Sequence, residues 1–296
     1  MTARADGLLV IVIGAQRKRA DTHPLAARFD VSRKILIPLE DRPLIAHVLE
    51  TLATHADVAR IAVSVEASVC SAVETAMAAC FASAKIEYTP AADNIADSVI
   101  EAARGHDGPL IITTADNALL THESIDAISE ALQHADVAVA MTTREAVLAA
   151  HPDGQRRFYR FRDREYSNCN LYGMARKEAL QASEVFRSGG QFASKAGRIV
   201  EAFGLFNLLL FRLRLLNLAR AFRRLSRRFG LCMIPVVLAD GSQAIDVDNE
   251  RTYRVVSELL ARRAKNLNQP PLALSLSKGA GANVLRQAQH ERAFSM

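Results

Sequence analysis

Three groups of side chains in this sequence have the types and spacing to handle phosphate. The first follows an unbroken apolar run, Leu8–Ile13, where Gly14 and Ala15 lead into Arg17, Lys18 and Arg19. A glycine at the carboxyl end of a buried strand is free to take φ > 0 and lets backbone N–H groups approach an anion, and neighbouring cations add charge. Lys34, inside SRKILIPL, an extended segment, could return a further cation to the same pocket, so the stretch reads as a polyphosphate cradle. The second group is Asp116, directly after the apolar run PLIITT and Ala115. A carboxylate there would face the same sheet edge as the Gly14 loop and can hold a hard divalent cation that bridges phosphate oxygens. The third is the pair Asp246 and Asp248, which alternate just ahead of a helical pattern ending near Ala264.

The elements that must position these groups follow from periodicity. Leu8–Ile13, Ile61–Val65, Ile86–Tyr88, Pro109–Thr114, Ala135–Thr142 and Cys232–Leu238 are apolar runs of strand length. Helical patterns separate them at Pro43–Ala53, Ala67–Phe81, from about Asp93 or Asn94 onward, and at Thr121–Gln133. Strand and helix alternating in this way predict an α/β fold with a mostly parallel central sheet and helices on both faces. Arginines interleave with Phe158, Tyr159 and Phe161, a pattern that could stack on bases but fits better as a strand pair with a basic edge. Residues 176–230 read as helical almost throughout, a helical insertion or lid over the site. Its second half mixes leucines with arginines, so peripheral membrane contact through 203–228 is the competing reading.

Composition narrows the function classes. Half of the 296 residues are apolar, which suits a globular core. The four cysteines are scattered without a CxxC pair, which argues against a zinc site or a disulfide framework and for reduced thiols in the cytoplasm. No signal peptide and no run long enough to span a bilayer is visible. Of the formal +5, residues 198–228 carry +7 and residues 265–296 carry +3, leaving the rest of the chain at −5. A general nucleic-acid partner is therefore not expected.

In order and spacing these features resemble the MobA-like NTP transferases, nucleotidyltransferases of the GT-A type fold. Gly14, Arg17, Lys34, Leu36, Pro38, Pro43 and Leu44 fit the opening signature, with Ile13 where alanine is usual. ADNALLT resembles the family's D-x-P element with Ala118 in place of proline, and EYSNCNLYGM resembles its Y-S-G-x-N-L strand with Asn168 in place of glycine. DVDNE resembles the closing D-x-D-T-P element, with Asn249 and Glu250 replacing Thr-Pro. The resemblance implies nucleotide contacts from Gly14 and Ala15, base contacts near Asn94 and Ser98, and an acceptor contact from Asn170. It implies Arg17 and Lys34 as the residues stabilising charge on departing pyrophosphate. It further implies Mg²⁺ held by Asp116 with Asp248, or with Asp246. Asn94 and Asp248 also have the simpler reading of helix caps.

The expectation is a nucleotidyltransferase domain over residues 1–264, with 176–230 as helical insertion, and a disordered tail over 265–296. Its substrates would be an NTP and a small phosphorylated acceptor. A GT-A glycosyltransferase using a nucleotide sugar, and a catalytically inactive membrane-docked relative, are the alternatives.

Overall fold

The computed structural model describes residues 7–15, 23–78, 86–180 and 205–268. Arg17, residues 181–204 and the tail beyond Asn268 lie outside the described residues. The chain divides into two compact units, residues 1–260 and 261–296, and every described site residue belongs to the first.

Strand β1 (Leu8–Ile13) is buried along its whole length, and its alternation divides the core in two. Leu8, Val10 and Val12 face one side; Leu9, Ile11 and Ile13 face the other. Around it lie the two-residue strands β2 (Pro38–Leu39) and β3 (Arg42–Pro43), then β4 (Val58–Val65), β5 (Ile86–Pro90), β6 (Leu110–Thr114), β7 (Val137–Thr143), β8 (Tyr159–Arg160), β9 (Glu165–Met174) and β10 (Met233–Leu238). The main sheet runs β10-β7-β9-β6-β1-β4-β5, with β8 paired to β9. All neighbours in it are parallel except at β9, which runs antiparallel to both β6 and β7. A mostly parallel sheet needs both faces covered, which is why its strands read as continuous apolar runs.

The helices among the described residues are α1 (Pro24–Arg28), α2 (Leu44–Ala53), α3 (Cys70–Ala78), α4 (Ile95–Ala102), α5 (His122–Ala131), α6 (Arg144–Ala150), α7 (Leu205–Arg212), α8 (Leu218–Phe229) and α9 (Glu250–Asn268). Leu44, Leu49 and Leu52 of α2, Val73 of α3, Ile125 of α5 and Val255 of α9 fill the Val10 side. Val99 of α4 and Phe222 of α8 fill the Ile11 side. The helix starts follow local chemistry: Asn94, Thr121, Thr143 and Asn217 each accept a backbone N–H from the first turn of the helix they precede.

Two local expectations change. The extended reading of SRKILIPL gives way to a single 3₁₀ turn at Lys34–Leu36, closed by Ile37 N–H donating to the Lys34 carbonyl at 3.1 Å. That turn lays Ile35 against Gly14 while Lys34 reaches Asp116. The 176–230 helical stretch is interrupted between α7 and α8, where Arg214 takes a left-handed φ of 55°. The basic segment after Phe158 forms the expected strand pair, β8 on β9, with Arg160 Nε 2.8 Å from Glu165.

Candidate active site

Because β1, β4, β6 and β7 point the same way, the loops after them share one edge of the sheet, where ligands of open α/β folds bind. The Gly14 N–H donates to the Ser64 carbonyl at 2.9 Å, and the Ala115 N–H donates to the Ile13 carbonyl at 3.0 Å. The parallel ladder thus runs one residue past each strand and seats Asp116 beside the Gly14 loop. Gly14 does not use a positive φ, contrary to the conformational freedom expected of it. Its need for glycine is steric, since a Cβ there would lie 2.9 Å from Val65 Cγ1.

Lys34 closes the edge from above. Its Nζ donates to Asp116 Oδ2 at 2.5 Å and to Asp248 Oδ1 at 2.7 Å, although 82 and 214 residues of sequence separate the partners. The acid loop 245–249 is fixed from both ends. On one side the 3₁₀ turn Gly241–Ala244 packs so closely on α6 that a Cβ on Gly241 would fall 2.1 Å from the Ala146 carbonyl carbon. Gln243 Nε2 donates to the Leu119 carbonyl at 2.7 Å, and the Val247 N–H donates to the Asp116 carbonyl at 3.3 Å. On the other side the α9 cap is Asn249, whose Oδ1 accepts the Thr252 N–H at 3.2 Å. The Asp248 carboxylate is thereby left to Lys34, and the simple cap reading falls to its neighbour.

Asn170 arrives from β9. The pairing of β9 with β7 is irregular between Val139 and Met141, so β9 bulges there, and Asn170 has a left-handed φ of 48°. Bulges of this kind re-aim a side chain next to a site. Asn170 Nδ2 donates to Asp246 Oδ2 at 2.7 Å, while its N–H and Oδ1 bond Asn168 at 3.3 and 3.0 Å. Asn168 thus braces this residue.

Charges at this edge are strongly coupled. Burial would push the Lys34 ammonium down, but Asp116 and Asp248 overcome it and raise its pKa. Burial likewise acts to raise Asp116, and the Lys34 charge and hydrogen bond bring it below its ordinary 3.8. Asp246 goes the other way: burial, then the charges of Asp116 and Asp248, lift its pKa well above 3.8. His23, which the sequence reading passed over, also belongs here. Burial and then the Lys34 charge lower its pKa, against the pull of Asp248 and Asp116. Its one sequence signal is the His-Pro step, since its Nδ1 accepts the Leu25 N–H at 3.3 Å and starts α1.

Asp116 Oδ1 and Asp246 Oδ1 are buried without a hydrogen-bond partner. Two orphaned carboxylate oxygens beside an exposed third acid form an all-oxygen, anionic donor set, which fits a hard cation such as Mg²⁺. A second acidic group, His55, Asp57 and Asp126, brings its ligand atoms within 4.8 Å of one another. It lies just before the start of β4, at the amino ends of the strands and away from Asp116. His55 Nδ1 accepts the Asp57 N–H at 3.2 Å, and Nε2 lies 3.0 Å from Asp126 Oδ1. The proton must therefore sit on Nε2, the nitrogen a metal would need, and the group is satisfied as a hydrogen-bonded triad.

Of the other residues singled out in the sequence, Gly14 and Ala15 lie at the edge, and Arg17 falls outside the described residues. Asn94 and Ser98 are engaged locally. Asn94 Oδ1 accepts the Asp97 N–H at 2.9 Å, and Ser98 Oγ accepts the Ala92 N–H and donates to the Asn94 carbonyl, both at 2.9 Å.

The family model of the MobA-like NTP transferase domain matches residues 25–228. No curated protein matches the chain. Among solved structures, a hypothetical transferase from Thermus thermophilus superposes with a TM-score of 0.67 at 21% identity, covering 83% of this chain and 99% of its own. A 4-diphosphocytidyl-2C-methyl-D-erythritol synthase from Anaerococcus prevotii gives 0.56 at 10%, covering 87% and 99%. A CMP:2-keto-3-deoxy-manno-octonic acid synthetase complexed with CTP gives 0.53 at 16%, covering 87% and 100%. At these identities the likeness establishes a shared fold.

Proposed function

The chain belongs to the MobA-like NTP transferase domain family, and on that premise we propose that it transfers a nucleoside monophosphate from an NTP to a phosphorylated acceptor. An acceptor phosphate oxygen attacks the α-phosphorus, a new P–O bond forms, the bond to the β-phosphate oxygen breaks, and pyrophosphate leaves with the electron pair. No protein nucleophile takes part. Asp116, with Asp246 or Asp248, would hold Mg²⁺, which when bound supplies counter-charge to the phosphates.

The protein's own residues have distinct tasks. Gly14 and Ala15 offer backbone close to the phosphates. Arg17 and Lys34 balance the charge that builds on the leaving pyrophosphate. Asn170 orients the acceptor with an uncharged amide, and its present bond to Asp246 sets its direction. Asn94 and Ser98 hold the shape of the loop that would border the base, since their side chains already serve its cap.

The observation that carries this reading is the pair of orphaned oxygens on Asp116 and Asp246 beside the Lys34 cation. The test is pyrophosphate release on mixing single NTPs and candidate acceptor phosphates with and without Mg²⁺, together with calorimetric NTP binding. Asp116→Asn should keep the fold, lose Mg²⁺-dependent NTP binding and lower turnover by orders of magnitude. Full Mg²⁺-dependent binding and turnover in that variant would refute it. Tighter binding of nucleotide sugars than of NTPs would favour the glycosyltransferase alternative.

A further inference from the structure

We propose that the segment from Leu209 to Arg228 docks the protein on an anionic lipid bilayer. Residues 205–230 contain seven arginines and no acid, whereas the rest of the chain outside the basic stretches is net acidic. Positive charge is therefore densest in this segment.

Geometry makes α8 a two-sided element. It is capped by Asn217 and closed by Gly230 at a left-handed φ of 65°, so both ends are fixed by local chemistry. Leu218 and Phe222 are buried in the core. Arg220, Arg223 and Arg227 follow the i, i+3, i+7 row on the opposite side and are exposed. Arg212 and Arg214 are exposed just before it, and none of these five has a carboxylate partner among the described residues. The platform is tied to the fold rather than trailing from it: the Arg162 N–H donates to the Leu216 carbonyl at 2.8 Å, and the Leu218 N–H donates to Asp163 Oδ1 at 3.1 Å. Phe211 packs edge-on against Phe161, with ring centroids 5.1 Å apart.

Arginines alone would suit any polyanion, but leucines decide the partner. Leu209, Leu213 and Leu215 are 49%, 56% and 50% exposed, three large apolar side chains left in water within seven residues. Nucleic acid has phosphates for the arginines and nothing for the leucines. A bilayer satisfies both, since the leucines enter the acyl boundary while the arginines remain among the headgroups. No described helix is long and apolar enough to cross the membrane, so the contact is peripheral.

The test is sedimentation of the full chain with vesicles of phosphatidylcholine, with and without phosphatidylglycerol. Binding should require phosphatidylglycerol and fall as salt is raised. With each arginine worth about fivefold in partitioning, replacing Arg212, Arg214, Arg220, Arg223 and Arg227 by Gln should weaken binding by about a thousandfold or more. Replacing Leu209, Leu213 and Leu215 by Ser should weaken it about tenfold or more while the salt dependence persists. Absence of binding by the unaltered protein at low salt overturns the proposal whatever the variants do. So does unchanged binding in the leucine variant, or retention by DNA without retention by vesicles.

Discussion

Replacing Lys34 with Met keeps the length of the side chain and removes the charge that binds Asp116 and Asp248 together. The cost can be worked from the site. Asp116, with 19% of its side chain exposed, loses a partner at 2.5 Å, and removing one member of a largely buried pair costs up to about 3–5 kcal/mol. The carboxyl can escape by taking a proton. From its ordinary 3.8, protonation at pH 7 costs about 4 kcal/mol at 1.36 kcal/mol per unit, which sets the ceiling. Asp248 is 63% exposed, can turn to water, and adds nothing to that figure. In the unaltered protein the Asp116 pKa is depressed, so its stabilisation is present above 3.8 and is lost as the pH falls through the folded value. In the Met variant the folded pKa is raised instead, and stability is lost as the pH rises above 3.8. The difference between the two proteins should therefore be about 3–4 kcal/mol at pH 7 and smaller at pH 5 by up to about 2.7 kcal/mol, which is about two pH units at 1.36 kcal/mol each. Urea unfolding followed by circular dichroism, in the presence of chelator, measures both. Lys34→Met combined with Asp116→Asn should recover most of the loss, because no uncompensated charge remains at that position. An equal loss at the two pH values, a loss under about 1 kcal/mol at pH 7, or no recovery in the double variant would refute the reasoning.

Gly241→Ala should destabilise by more than about 3 kcal/mol and abolish metal-dependent NTP binding, because its Cβ would meet the α6 backbone and displace the loop that carries Asp246 and Asp248. Thermal unfolding and calorimetry report the two losses. Asn249→Ala should cost about 1 kcal/mol by urea unfolding, as the loss of a helix cap does, whereas a neutral result would return the cap to Asp248. Glu40 and Asp41 form the two-residue turn between β2 and β3 with φ of 47° and 63°, so Glu40→Asn with Asp41→Gly should stabilise by about 1 kcal/mol. Deleting residues 269–296 should leave the melting temperature and NTP binding unchanged.

What the sequence determined by itself is the set of features that repeat locally. The apolar runs at Leu8–Ile13, Pro109–Thr114 and Cys232–Leu238 mark strands because a strand buried on both faces must be apolar at every position. Helix starts at Asn94 and Thr121 were legible because a cap bonds only residues in its own first turn. The order of Gly14, Lys34, Asp116 and the Asp246–Asp248 pair carried the family resemblance. Tertiary structure alone decided how these residues share charge. Nothing local links Lys34 to carboxylates 82 and 214 residues away. The period of two that places Asp246 and Asp248 on one side cannot separate them, but burial does: Asp246 is enclosed against Asn170 with its pKa raised, and Asp248 stands exposed on Lys34. Asn249 took the cap that Asp248 could equally have filled, and Gly14 proved to be glycine for want of space beside Val65 rather than for its backbone. Each outcome depends on what other chain segments bring within a few ångströms, and desolvation and charge at that range are properties of the assembled fold.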